Sequence, residues 1–228
     1  MNKMNFELFS DVLDKRSQEM MSSICNNLSF ISGDLKTIAV TSCTSGEGAS
    51  YIAMQLARAL TRSNKRVVVL DSDFHHSVAE KGYDTELKGD SKTLIDYLTG
   101  KYSITEVLYA TNVHNLFFIP CPELSTNPSY LFDLPHYSEL IKTLSNVFDM
   151  IIIDTPAAGT SVDTAKISKF CDGIVLVVAY GKTRRNELNE MLYQFKKTGC
   201  PILGCIINRV NFRSFISRKA YPLIRKAR

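Results

Sequence analysis

The chain has no apolar stretch long enough to cross a bilayer. Its longest apolar runs, such as Ile174 to Tyr180, are strand-length, whereas a spanning helix needs about 20 residues. The N-terminal residues are polar and charged, with no apolar signal region. These two absences predict a cytoplasmic protein that meets a membrane only peripherally, at the inner face of the plasma membrane, through a partner or a surface contact. There is no C-x-x-C pair and no Cys/His ligand spacing. The six cysteines (Cys25, Cys43, Cys121, Cys171, Cys200, Cys205) are scattered and read as reduced thiols, which argues against a thiolate metal centre. Nor is there a strong charge of either sign: a net +4 argues against a dedicated nucleic-acid binder.

What is present is enough apolar content, 45% of 228 residues, to bury one sizeable core. The expected organisation is a single domain over 1–228, with an N-terminal helical segment at 1–33 and a basic tail at 212–228. The chain is organised around Thr37 to Leu60, TIAVTSCTSGEGASYIAMQLARAL. Its grammar is strand, small-residue loop, then a helix with Ile52, Ala53, Leu56, Ala57 and Leu60 on one face. Gly46 and Gly48 let the backbone turn close to an anion, and the helix that starts near Gly48 points its positive end at the same place. This is a phosphate cradle that lacks its usual closing residue. Such loops read G-x-x-x-x-G-K-[ST], the lysine reaching the terminal phosphates and the hydroxyl a magnesium ion; here Ala49 stands at the lysine position and Ser50 follows.

Two acidic strand ends downstream fit the same site. Val67 to Leu70 reads as a strand ending at Asp71 and Asp73, and carboxylates at the carboxyl end of a buried parallel strand face the ligand crevice. Two apart on an extended chain, they project to the same side, as paired acids that hold Mg²⁺ or accept a proton. Met150 to Pro156, MIIIDTP, is a continuous apolar run delivering Asp154 to its tip, followed by a turn suited to sensing a terminal phosphate. Asp163 opens the next helix, as a first-turn charge or as part of the site.

The remaining segments complete an alternating pattern. Asn5 to Ile31 fits one or two amphipathic helices, whose apolar face packs on the chain's own sheet or on another subunit. Lys81 to Asp90 is a polar loop, Thr93 to Leu98 and Ile104 to Tyr109 are short helices, and Leu116 to Ile119 is a strand entering the proline-rich Pro120 to Pro128. Ser129 to Phe148 has helical spacing; Gly173 to Ala179 and Ile202 to Asn208 read as buried strands separated by a helix over Thr183 to Lys197. About six strands alternating with helices predict an α/β fold, a doubly wound, mostly parallel sheet flanked by helices. The tail, Phe212 to Arg228, is basic without an acid and carries Tyr221.

Four ordered motifs, TSCTSGEGAS, VVVLDSDF, STNPSYLF and FDMIIIDTPAAGTSVDTA, resemble the cytoplasmic bacterial tyrosine autokinases of capsule and exopolysaccharide synthesis. These belong to the deviant phosphate-loop group that also contains cell-division and partition ATPases. The resemblance runs from about Glu19 to Val210. It implies ATP or ADP with Mg²⁺, bound by Ser45, Gly46, Glu47, Gly48, Ala49, Ser50 and Tyr51 of the loop and by Asn208 at the adenine. It implies Ser50, Asp73 and Asp154 at the metal, and Asp71 as acceptor of the tyrosine hydroxyl proton. It also implies a transmembrane adaptor or polysaccharide co-polymerase as partner, a homo-oligomer, and a C-terminal tyrosine as phosphoacceptor, for which Tyr221 is the candidate.

Three departures stand beside the matches. Ala49 replaces the loop lysine. In the family's N-terminal motif, aligned at Glu19, Ser22 and Cys25 replace the two arginines of the subunit contact, and the tail has one tyrosine instead of a cluster. A charge-assisted hydrogen bond is worth roughly 1.5–3 kcal/mol, so losing the lysine weakens ATP binding without abolishing a cradle made of backbone N–H groups. Phosphoryl transfer is positioning and charge stabilisation, so the rate suffers more. The expectation is a kinase with impaired activity; the alternative is a catalytically inactive nucleotide-binding scaffold, a pseudokinase, on a membrane co-polymerase. A partition-type ATPase is disfavoured, because Cys43, Thr44 and Ser45 lack the second lysine such proteins carry near the loop start.

Overall fold

A computed structural model describes residues 2–3, 14–31, 35–76, 91–122, 124 and 128–210. The polar stretch at Lys81 to Asp90 and the tail with Tyr221 lie outside the described residues. Eight strands form one sheet in the order β1-β4-β5-β3-β6-β2-β7-β8. The elements are β1 (Asn2–Lys3), α1 (Lys15–Ile31), β2 (Thr37–Ser42), α2 (Ala49–Thr61), β3 (Val67–Asp71), α3 (Leu94–Leu98), α4 (Ile104–Val107), β4 (Tyr109–Ala110), β5 (Leu116–Ile119), α5 (Pro135–Val147), β6 (Met150–Asp154), α6 (Asp163–Ile167), β7 (Gly173–Ala179), α7 (Arg185–Thr198) and β8 (Ile202–Asn208). All neighbouring pairs are parallel except β4 with β5, as the alternation of strands and helices predicts.

The central strands are apolar on both faces, and their period of two sorts the core into layers. Ile38 and Val40 of β2, Val67 and Val69 of β3, Ile152 of β6, and Val175 and Val177 of β7 pack against α1 and α2, through Met21, Leu28, Ile52, Leu56 and Leu60. Their alternates face the other way. Val68, Leu70, Ile151 and Ile153 meet Leu94, Leu98, Tyr137, Leu140 and Leu144 of α3 and α5, and Ala39, Ile174 and Leu176 meet Met191 and Phe195 of α7. Each such aliphatic side chain contributes about 1.5–3 kcal/mol on full burial, so the sheet is fixed from both sides. What varies between strands is what stands at their tips.

Four expectations need correction. The sheet has eight strands, because β1 and β4, of two residues each, are too short to leave a periodic signal. The helix read over Ile104 to Tyr109 stops at Val107, and Tyr109 enters β4. The helical spacing from Ser129 is divided: a 3₁₀ turn covers Ser129–Asp133, and α5 restarts at Pro135, whose fixed φ suits a first helical position. Finally, β8 is not a buried strand. It is the last strand of the sheet, and Gly204, Cys205 and Ile207 are exposed.

Helix α1 divides its apolar residues: Met20, Phe30 and Ile31 are exposed, and the others face the sheet. Met21, Cys25 and Leu28 are buried in the chain's own core. Cys25, at the place of a family arginine, is 8% exposed and packs in the chain's own core.

Candidate nucleotide-binding site

Strand order brings the three motifs together. β6 lies between β3 and β2, with Asp71 opposite Asp154 in one ladder and Val40 opposite Asp154 in the other. The tips of three adjacent strands therefore carry the phosphate loop, the first acidic motif and the second. Asp71 and Asp154 are fully buried and Asp73 is 6% exposed.

The loop between β2 and α2 uses its glycines as the sequence predicts: Gly46 has φ 80° and Gly48 φ 94°, a left-handed backbone that side chains disfavour. Gly48 is the N-cap of α2 and provides no side-chain cap. The first intrahelical bond closes from Ile52 N–H to the Gly48 carbonyl, 3.0 Å, so the N–H groups of Ala49, Ser50 and Tyr51 have no intrahelical acceptor. They open onto a cavity of about 300 Å³ lined by Ser45, Gly46, Ala49, Ser50, Asp73 and Arg209 among others. The cavity floor is where a lysine at position 49 would extend.

Glu47 does not face this cavity. Its side chain turns inward, fully buried, and its Oε2 accepts the backbone N–H groups of Cys43 at 2.8 Å and Thr44 at 3.1 Å, while Oε1 accepts the Thr183 hydroxyl. The carboxylate thus holds the first half of the loop to the segment after β7. Beside it Lys182 Nζ donates to the Ser45 carbonyl at 3.2 Å. The turn after β6 clamps the loop from the other side: Ala158 N–H donates to the Ser42 carbonyl and Gly159 N–H to the Cys43 carbonyl, at 2.9 and 3.1 Å. A Cβ on Gly159 would come within 2.3 Å of that Cys43 carbonyl, so glycine is needed for the close approach.

The acidic groups are individually tethered. Asp71 Oδ1 accepts the Asp73 N–H at 3.2 Å, and Asp73 Oδ1 accepts the N–H groups of His75 and His76 at 2.9 and 3.0 Å. Strand pairing ends at Asp71, so Asp73 belongs to the turn and lines the cavity while Asp71 lies behind it. Thr155 is anchored through its N–H and hydroxyl to the Val40 carbonyl. Asp163 is fully buried at the start of α6, where it accepts the Ser129 hydroxyl. Lys166 adds bonds to the Ser129 carbonyl and to Asp133, so the Asn-Pro segment's 3₁₀ turn is pinned to α6. Asp163 acts as that anchor and does not line the cavity.

Asn208, at the tip of β8, donates Nδ2–H to the Glu47 carbonyl at 2.9 Å and accepts the Arg209 N–H on Oδ1 at 2.8 Å. Ser45, Gly46, Gly48, Ala49, Ser50, Tyr51 and Asp73 all line the cavity. A second, more apolar cavity of about 280 Å³ adjoins it, lined by Met20, Ile24, Tyr51, Ile206, Asn208 and Arg209 among others. Lys182, Thr183 and Arg209 escaped the sequence reading. Their only signals were a Gly-Lys-Thr one residue beyond a buried strand and a cation directly after Asn208.

Cys43, inside the loop, is a packed thiol. Burial, reinforced by the negative charge of Glu47, pushes it from the ordinary value of 9.0 up to about 12, and burial takes Cys25 to about 11. A thiol whose folded value lies above its unfolded one contributes stability that is complete below pH 9 and is lost as pH rises towards 12. Thermal melting should therefore show stability falling from pH 9 upward. Iodoacetamide at pH 8 should leave Cys43 unlabelled in the folded chain, and labelling at the rate of a free thiol would contradict this assignment.

Comparison with known proteins agrees with the geometry. The model of the AAA domain family matches residues 35–198. The chain is 34% identical over 197 residues to tyrosine-protein kinase CpsD of Streptococcus agalactiae, covering 86% of this chain and 85% of that one. The fold overlays the chimerical protein CapA2B2 with a TM-score of 0.81 at 22% identity, covering 92% of this chain and 94% of that chain. It overlays the kinase domain of the Escherichia coli tyrosine kinase ETK with a TM-score of 0.77 at 20% identity, covering 85% of this chain and 77% of that chain. With the phosphate loop and both acidic motifs on adjacent strand tips, the chain belongs to the AAA domain family, within the bacterial tyrosine-protein kinases that its four motifs resemble.

Proposed function

We propose that this chain binds Mg²⁺-ATP and Mg²⁺-ADP in the cavity above β2, β3 and β6, and that its transfer of phosphate to tyrosine is slow. The observation that carries this reading is the meeting of three strand tips around a cradle with open N–H groups, closed at position 49 by a methyl group. The first-turn N–H groups of α2, at Ala49 and Ser50 on the cavity lining, suit phosphate oxygens. Ser50 and Asp73 line the cavity with hydroxyl and carboxylate oxygens, a donor set that fits Mg²⁺, and Asp154 backs them from β6. The ion, when bound, neutralises charge on the terminal phosphates. The family resemblance assigns the tyrosine hydroxyl proton to Asp71, which is buried beside Asp73 and outside the cavity lining. The adenine occupies the adjoining apolar cavity beside Asn208, whose amide keeps one N–H and one lone pair beyond the two bonds it already makes.

The partner expected from the family, a transmembrane adaptor or polysaccharide co-polymerase, belongs to the same proposal. Among the described residues no helix is long and apolar enough to cross a membrane. Placement at the inner face of the plasma membrane, and Tyr221 as acceptor, follow from the same reading.

Isothermal titration of Mg²⁺-ATP and Mg²⁺-ADP against the purified chain, with transfer of label from γ-labelled ATP, tests both halves. Binding with slow labelling of tyrosine supports the kinase reading. A rise in melting temperature with ATP and no label after prolonged incubation supports the inactive scaffold, which Ala49 favours. Absence of binding refutes both.

A further inference from the structure

The cavity lacks a lysine at position 49, yet it does not lack a cation. Among the described residues that line it, Arg209 alone is positively charged, and it sits on the same cavity as Ala49, Ser50 and Asp73. The other nearby cation, Lys182, is not among the lining residues, and its ammonium is engaged with the Ser45 carbonyl.

Arg209 is held where it is. Its backbone is left-handed, φ 59°, a conformation that costs a non-glycine residue of order 1 kcal/mol and persists only where surrounding structure imposes it. The imposing group is Asn208, whose Oδ1 takes the Arg209 N–H while its Nδ2 bonds the Glu47 carbonyl inside the phosphate loop. One amide therefore ties the arginine's main chain to the loop. The guanidinium itself makes no hydrogen bond or ion pair among the described residues. An arginine fork is permanently charged and matches phosphate geometry through two parallel bonds.

Resting on the nucleotide reading above, we propose that Arg209 binds the terminal phosphates of the nucleotide and stands in for the lysine that Ala49 replaces. In this proposal the cation comes from the residue after β8 in place of the first turn of α2, and serves the same cavity.

A double-mutant cycle with Mg²⁺-ATP titration tests this, using wild type, Arg209→Ala, Ala49→Lys and the pair. Arg209→Ala should weaken Mg²⁺-ATP by about tenfold or more, and Arg209→Lys should recover most of that loss. With a lysine restored at position 49, removing Arg209 should cost at most about threefold, because the two cations serve one role and their effects are not additive. Equal affinity of Arg209→Ala and wild type overturns the proposal. So does the same loss in both backgrounds, which would make Arg209 a contact to the base or a structural residue. If Ala49→Lys fails to fold, failure of Arg209→Lys to recover affinity is the overturning result. Absence of ATP binding by wild type would instead refute the nucleotide reading itself.

Discussion

Ala49→Lys should raise the rate of tyrosine phosphorylation by about 10²–10³, the usual cost of one preorganised donor at a site of developing charge. The position lines the cavity of about 300 Å³ at the first residue of α2, although Ala49 also packs in the core with 8% exposure. The affinity for Mg²⁺-ATP should rise by a smaller factor than the rate, because Arg209 already meets the ground-state charge. Label transfer from γ-labelled ATP under saturating nucleotide isolates the rate. No gain would mean that the defect extends to Asp71, Asp73 or Asp154 and that the lost lysine is one of several changes.

Glu47→Ala should be the most destabilising single substitution in the loop, although the side chain touches no ligand. It removes the acceptor for the buried Cys43 N–H, for the Thr44 N–H and for the Thr183 hydroxyl. A buried donor left unsatisfied costs about 1–3 kcal/mol, so two backbone donors together predict a loss of about 2–6 kcal/mol. For a chain of this size each kcal/mol lowers the melting temperature by about 2–4 °C, well within the reach of calorimetry. Glu47→Gln, which keeps one carbonyl oxygen, should fall between the two. A melting temperature for Glu47→Ala within about 2 °C of wild type would show that the loop holds its shape without this group.

The sequence made the sheet readable because its strands are buried on both faces. Runs such as VVVLD and MIIID have no polar interruption until the carboxylate that ends them, so both the element and the functional tip are marked by one transition. The glycines were legible for a similar reason, since left-handed turns at Gly46 and Gly48 leave few alternatives. What could not be read was direction. Glu47 sits within a motif whose neighbours line the cavity, yet its carboxylate points into the protein, because the N–H groups of Cys43 and Thr44 needed an acceptor. Asp163 likewise became an anchor for Ser129, a pairing across 34 residues that no local pattern encodes. Arg209 and Lys182 arrive at the loop by parallel crossovers from β8 and β7, and only the strand order brings them there. The two-residue strands β1 and β4 and the exposure of β8 depend on neighbours, which periodicity does not describe.

The outermost position of β8 has a consequence of its own. Seven residues long and rich in isoleucine, it pairs among the described residues with β7 alone, and an edge of that kind can accept a further strand. The same strand ends at Asn208, whose amide grips the Glu47 carbonyl. The sheet's margin is thus one hydrogen bond from the loop after β2, and a strand added there would lie next to the residues that line the cavity.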